Sequence, residues 1–429
     1  MPLLYHHLIH QCSMGKENNL GDFLADLANA IREKTGESSP INPQDFSQKI
    51  KDISAGGDVR NAPMSDVNFV DHEGNVLYSY SKNDFLALNE MPSLPLKNGL
   101  VGQGWNWSLE DVKAELAESS GIVVGANYVT DDGKTRLYIR IPNASLKKVT
   151  IGFGQTIANG VEIDFGDGSA PTTYGSAGDA VSLYHTYQNI GDYCITLKPK
   201  DGCTMSLGQS SSSYGALGAI LNDTRAERNI LKKVEIGSNV TTITRYAFND
   251  CYSLKSISMP KEVTSINDYA FSGCRTLSSM IVSNGVTKIP TEAFKNCYAA
   301  NFISLPNGVK DTNSNCLYNC GCLVSLYIPT SVNYIAQYSM YNCEVLTKIS
   351  IPKLVTTIYN YTFYNCYGLD LIDFSQHTSV PSLSSTNALT NVPSSCKILV
   401  PDALYDSWIA ATNWSSHANK IVKASEFNG

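Results

Sequence analysis

Long apolar runs are missing from this chain: no stretch reaches 18 residues, which excludes a transmembrane helix by length. Basic clusters are missing too. Lys and Arg number 32 against 39 Asp and Glu, a net charge of -7, and that balance argues against nucleic acid or an anionic membrane as the partner. Histidine is scarce, 7 in 429 residues, and three of those fall within the first ten positions. No serine sits in a GxSxG elbow, and no carboxylate pair falls at a spacing that a helix or hairpin would bring together. The GKT at 133 to 135 lacks the earlier glycine of a phosphate loop, since Tyr128 stands where it is needed. The chain therefore reads as a non-enzyme that needs no cofactor. The amino terminus, MPLLYHHLIHQCSMGK, lacks the pattern of a signal peptide, and the carboxyl end lacks a sorting signal.

Cysteine is plentiful, 12 in all, but no CxxC pair has metal-ligand spacing. Six of them, Cys251, Cys274, Cys297, Cys320, Cys343 and Cys366, recur every 23 residues. An apolar pattern travels with them. Leu231, Leu254, Leu277, Ala300, Leu323, Leu346 and Leu369 share one register; Val240, Val263, Val286, Val309, Val332 and Val355 share another; Phe248, Phe271, Phe294, Leu317, Met340 and Phe363 share a third. A fixed period of this length means stacked supersecondary units. One unit buries side chains worth roughly 14 kcal/mol, while ordering its backbone costs roughly 23 kcal/mol or more, so single units cannot fold and the array must stack. In the stretch LKSISMP (254 to 260), Ile257 and Met259 point inward, Ser256 and Ser258 outward, and a proline ends the short strand. The cysteines read as a buried column of small apolar side chains.

The unit LxxIxIPxxVTxIxxxAFxxC, as it stands between about 230 and 375, resembles the BspA-like leucine-rich repeat family. The fourth unit departs from it at Ala300, Thr312, Asn315 and Cys316. The resemblance implies a solenoid, with residues 375–429 as a last repeat and a helical cap in which Asp402 opens a helix and Trp408 and Trp414 cover the open core.

Upstream, residues 1–18 read as a leader; His6, His7, His10 and Cys12 have no structure nearby to fix them as metal ligands. Residues 19–56 carry two amphipathic helices, Leu20, Phe23, Leu24, Leu27 and Ile31 on one stripe, and Phe46, Ile50 and Ile53 after the Asn42-Pro43 start. The string LADLANAIREKTGESSPINPQDFSQKIKDI resembles an N-terminal module of phage and prophage tail proteins of gut Firmicutes. That resemblance implies attachment to other tail or baseplate proteins, or to copies of the same chain. Residues 59–145 read as a small α/β domain, with a hairpin around Glu73-Gly74, a helix capped by Ser108, and a second hairpin turning at Asp132-Gly133. Residues 146–205 alternate apolar and polar. DFGDG paired with HTYxxxGxYxIxL is similar to the PKD (polycystic-kidney-disease) β-sandwich. Asp164 and Asp167, with Glu162, could hold calcium, although tight-turn chemistry accounts for them without an ion. Residues 206–228 are a Ser/Gly-rich linker, and the repeats run over 229–374. The fold class expected is thus multidomain: a short helical N-terminal module, a small α/β domain, a PKD-like β-sandwich and a leucine-rich-repeat solenoid with a helical cap.

Outward strand positions should form a ruled surface including Phe302, Tyr327 and Lys348, and tyrosines cluster beside it at Tyr334, Tyr338, Tyr341, Tyr359, Tyr361 and Tyr364. Tyrosine supplies contact area with little rotamer entropy to lose, so these nine residues are the candidate receptor-binding set. The resemblances together imply a phage tail component that grips a bacterial surface glycan or protein. A bacterial cell-surface adhesin of the same architecture is the alternative, and a glycan-degrading enzyme the third reading. The localisation implied is the virion, or the cell surface.

Overall fold

The structure is a computed structural model that describes residues 65–117, 119–208, 220–222 and 228–427. The expected leader and the paired helices of 19–56 lie outside the described residues, as does most of the linker.

Residues 67–130 make a four-stranded sheet in the order β2-β1-β4-β3, with β1 at Val67–Val70, β2 at Val76–Tyr80, β3 at Leu100–Trp105 and β4 at Ile122–Thr130. The β1/β2 hairpin turns where expected, because Gly74 takes a left-handed φ of 87° and Asp71 Oδ1 accepts the amides of Glu73 and Asn75. Two short helices, α1 (Lys82–Leu86) and α2 (Leu109–Glu115), start at Ser81 and Ser108, whose hydroxyls accept the amides of Asp84 and Asp111. Their apolar side chains Phe85, Val112 and Leu116 share a core with Phe69, Ile122 and Val124. Every residue of β4 is buried, so both of its faces are covered.

The hairpin expected at Asp132-Gly133 does not form. Both edges of β4 are occupied, by β1 in parallel and β3 antiparallel, while the following strand β5 (Thr135–Ile141) pairs elsewhere. The turn hands the chain from one sheet to another, and Thr130 donates its amide to Ile236 of the repeats at 3.3 Å.

β5 is flanked by β10 (Gly191–Pro199) and by the first repeat strand, β13 (Leu231–Glu235). The resulting six-stranded sheet continues outward through β7 (Val161–Asp164) and β8 (Thr172–Thr173), and on the other side into Ser256–Ser258. A second six-stranded sheet carries β12 (Leu221–Asn222), β6 (Lys148–Gln155), β11 (Met205–Leu207), β14 (Val240–Ile243) and Ser265–Ile266 in that order, with β9 (Gly178–Thr186) also paired to β6. Each sheet of residues 135–207 thus runs into one of the two strand columns of the repeats. Their side chains form one apolar cluster from Leu137 to Ile421. The boundaries expected at 145/146 and 205/206 are crossed by hydrogen-bonded strands, and the first open coil is closed at its edge by β5 and β11.

Further along, Ser279–Ile281, Phe302–Ser304, Ser325–Leu326, Lys348–Ser350, Leu371–Asp373, Lys397–Val400 and Ile421–Lys423 make a parallel seven-stranded sheet. The column cysteines are all buried. From Cys274 to Cys366 each thiol donates to a carbonyl 26 residues earlier, that of Phe248, Phe271, Phe294, Leu317 or Met340. At the far end Trp408 and Trp414 are buried, with ring centroids 5.2 and 5.5 Å from Phe374. Asp402 does not cap the helix there; its carboxylate accepts the amide and hydroxyl of Ser425, and the helix proper is Tyr405–Ala410.

Candidate functional site

The strand face of the repeats is not the open surface expected of it. Phe302 is 3% exposed and Tyr327 4%, and Ser256, Ser258, Ser279, Ile281 and Ser304 are buried as well. β4 lies across them. Asn127 donates to the carbonyl of Met259, Asn106 to that of Val282, and Trp107 Nε1 to that of Leu305, at 2.9, 3.1 and 2.8 Å. Ser279 and Ser304 donate back to the carbonyls of Asp71 and Val123. Tyr327 joins the core of the 67–130 lobe against Trp107, and its hydroxyl donates to the buried carboxylate of Glu115, which also accepts the amide and hydroxyl of Thr330. Phe302 and Tyr327 therefore serve packing within the chain. The signal was present: large apolar side chains at outward positions, Ile281, Phe302 and Tyr327, mark a face that something covers. Lys348, just past the lobe, is exposed.

Tyr338, Tyr341, Tyr361 and Tyr364 lie on the turns between strands, whereas Tyr334 opens the strand Tyr334–Ile335 and Tyr359 directly follows the strand Thr357–Ile358. In six successive turns two residues four apart take left-handed φ values, as Tyr338 (58°) with Asn342 (57°) and Tyr361 (61°) with Asn365 (60°). Three inter-coil amide bonds then lock neighbouring turns together: Tyr338 to Asn360, Met340 to Thr362 and Asn342 to Tyr364, at 3.2, 3.1 and 2.9 Å. Equivalent rings are held in stacks as a result. Tyr338 and Tyr361 are 4.8 Å apart and 8° from parallel; Tyr318, Tyr341 and Tyr364 form a second stack at 4.5 and 4.8 Å. The stacks touch through Tyr338–Tyr341 and Tyr361–Tyr364, while Tyr334, 38% exposed, meets Tyr359 edge to face. Tyr334 and Tyr359 thus form a pair of their own, while four of the nine candidates, Tyr338, Tyr341, Tyr361 and Tyr364, come together on one ridge and Tyr318 joins them. Its place in the stack was readable from its spacing of 23 to Tyr341.

A left-handed φ costs a residue with a side chain roughly 1–2 kcal/mol, and asparagine bears it best. The fourth turn has Asn315 at that register, φ 57°. The backbone does not ask for tyrosine at 338 and 361. Stacking returns about 0.5–1.5 kcal/mol per pair, which offsets part of the cost and leaves the choice of tyrosine to what the ring presents.

Asp164 and Asp167 behave as turn residues, accepting the amides of Gly166 and Ser169 at 2.8 and 3.1 Å. The other Asp167 oxygen meets His185 Nε2 at 2.7 Å. Among the described residues no group of three or more His, Cys, Asp or Glu side chains is placed to hold a metal, and no helix is long and apolar enough to cross a membrane.

Strands of two or three residues stacked in parallel at a fixed spacing, joined by identical turns around a continuous core, define a leucine-rich-repeat solenoid. Residues 226–345 and 310–421 match, in 6 copies, the family described as the BspA type leucine rich repeat region. Among solved structures the chain is similar to a leucine rich repeat protein of T. pallidum, at 25% identity and a TM-score of 0.34 over 39% of this chain and 75% of that one. A leucine rich cell surface protein of Faecalibacterium prausnitzii gives 23%, 0.31, 40% and 55% in the same order, and the pneumococcal vaccine antigen PcpA gives 20%, 0.34, 44% and 47%. No curated protein matches the chain.

Proposed function

We propose that this is a non-catalytic binding protein that holds a bacterial surface receptor, glycan or protein, against the tyrosine ridge of its last coils. The observation that carries the reading is the recurrence of tyrosine at left-handed positions that asparagine fills more cheaply in the neighbouring coil. No chemistry is needed; several shallow contacts, repeated coil by coil and copy by copy, add up through multivalency. The finer reading is a phage or prophage tail component, with residues 19–56 attaching it to tail or baseplate proteins and residues 146–205, PKD-like in sequence, serving as a spacer. The BspA-type repeats support equally a cell-surface adhesin, the second reading.

The experiment is attachment of the full-length protein to bacterial cells, comparing the parent with Tyr338→Ala/Tyr361→Ala. Attachment should weaken while the melting temperature barely moves. A large fall in melting temperature with attachment intact would make those rings scaffold and remove the ridge from the reading. Whether antibodies to the protein label virions or cell envelopes separates the two settings.

A further inference from the structure

The turns of the last four coils carry no Asp, Glu, Lys, Arg or His. They read NSNCLYNC (313–320), AQYSMYNC (336–343), YNYTFYNC (359–366) and SSTNALTN (384–391), whereas the turns before them hold Arg245, Asp250, Asp268, Glu292 and Lys295. The charge-free part holds the Tyr338–Tyr361 and Tyr318–Tyr341–Tyr364 stacks, whereas the Tyr246–Tyr269 stack of the first turns lies under the Arg245 guanidinium. Each ring of the charge-free stacks gives one face to a stacked neighbour and Tyr341 gives both, so the half-buried rings line the side of the stacks with their edges, the positive end of the quadrupole, and their hydroxyls. Beside the rings runs a ladder in which Asn319, Asn342, Asn365 and Asn391 each donate one amide N–H to the asparagine of the coil before, at 2.7 to 2.8 Å. Each such amide retains further donor and acceptor capacity.

Resting on the receptor-binding reading and narrowing its ligand, we propose that this uncharged comb binds a neutral polysaccharide laid along the solenoid axis. Sugar hydroxyl oxygens meet ring edges and amide donors, and sugar hydroxyls meet tyrosine oxygens and amide carbonyls. A polyanion or an acidic peptide would lose hydration of its charges here and find in return only Lys295, which lies over the Tyr318 ring at the end of the stack and is already paired with Glu292. Protein partners concentrate their affinity on Arg and on aromatic anchors that seat singly in pockets, whereas these turns hold no Arg and their tyrosines are stacked on one another. A polymer of repeating sugars meets the same chemistry at every coil.

The test is affinity electrophoresis of the full-length protein through gels containing a neutral glucan, mannan or galactan, with dextran sulfate in parallel, at low and high salt. At least one neutral polymer should retard the protein equally at both salts. The variant Tyr338→Phe/Tyr341→Phe/Tyr364→Phe, which keeps the stacks and removes three hydroxyls, should weaken that retardation roughly tenfold or more. Retardation by dextran sulfate alone, a strong salt dependence, no effect of the triple variant, or no retardation by any neutral polymer overturns the proposal. If cells are still bound in a ridge-dependent way while all the neutral polymers fail, the receptor reading survives and the neutral-glycan assignment falls. If the Tyr338→Ala/Tyr361→Ala protein attaches like the parent, the receptor reading itself fails.

Discussion

Gly125 of β4 rests on Ile281 of the strand column: a Cβ at position 125 would stand 2.3 Å from Cγ2 of Ile281 and 3.1 Å from Cβ of Ser304. That close approach lets the β4 backbone reach the coils, with the Gly125 amide fixed by Asn106 Oδ1 at 2.7 Å. Gly125→Val should therefore destabilise the docked lobe by about 1–3 kcal/mol, the usual cost of overpacking. Limited proteolysis followed by mass spectrometry should show cuts within 65–130 appearing before any in the repeats. Equal resistance of variant and parent would mean that the lobe is not held at this point.

His72 sits under the same lobe, buried, with neither ring nitrogen hydrogen-bonded and its ring against Tyr128. Burial, opposed in part by the charge of Glu73, holds its pKa down to about 4 from 6.5. A depressed folded-state value means that the unfolded chain takes up the proton first. The stability this group contributes is complete above about pH 6.5 and is lost as the pH falls toward 4. His72→Phe should flatten the pH dependence of the lobe's protease resistance between those limits. An unchanged slope would assign the acid sensitivity to other groups.

The column thiols titrate the other way. Burial pushes the Cys251 thiol up to about 12, and the Cys297 thiol likewise, above the ordinary 9. Stability from keeping these groups neutral is therefore present below about pH 9 and is lost as the pH rises toward 12. Iodoacetamide at pH 8 should leave Cys251 and Cys297 unmodified until denaturant unfolds the array, because the thiolate is the reactive form. Rapid alkylation of either in the native protein would place it outside the core.

The period of 23 made the repeats readable, because a side chain that must face the core in one coil must do so in all. It revealed the cysteine column, the strand registers and the ring stacks. What it could not reveal was the cover over Ile281, Ser304 and Tyr327, supplied by Gly125, Asn106 and Trp107 from far earlier in the chain and obeying no period. The hairpin at Asp132-Gly133 misled for a related reason. Its turn residues are sound locally, and Gly133 does take a φ of 71°, but strand pairing is decided by which edges remain free, and β1 and β3 leave β4 none.

The sharpest separation of frame from surface comes from copying the fourth coil into the fifth and sixth: Tyr338→Asn with Tyr361→Asn. Asparagine relieves part of the left-handed cost, roughly 1–2 kcal/mol per residue, while the lost ring pair forfeits about 0.5–1.5 kcal/mol, so the two effects nearly cancel. The inter-coil amide bonds of these turns, Tyr338 to Asn360 and Asn342 to Tyr364, are backbone contacts and persist. The melting temperature measured by calorimetry should accordingly stay within a few degrees of the parent's, whereas cell attachment should fall as it does for the alanine pair. A variant that melts far below the parent would show that stacked tyrosine rings hold the last coils together, and the recurrence of tyrosine there would then be explained by stability alone.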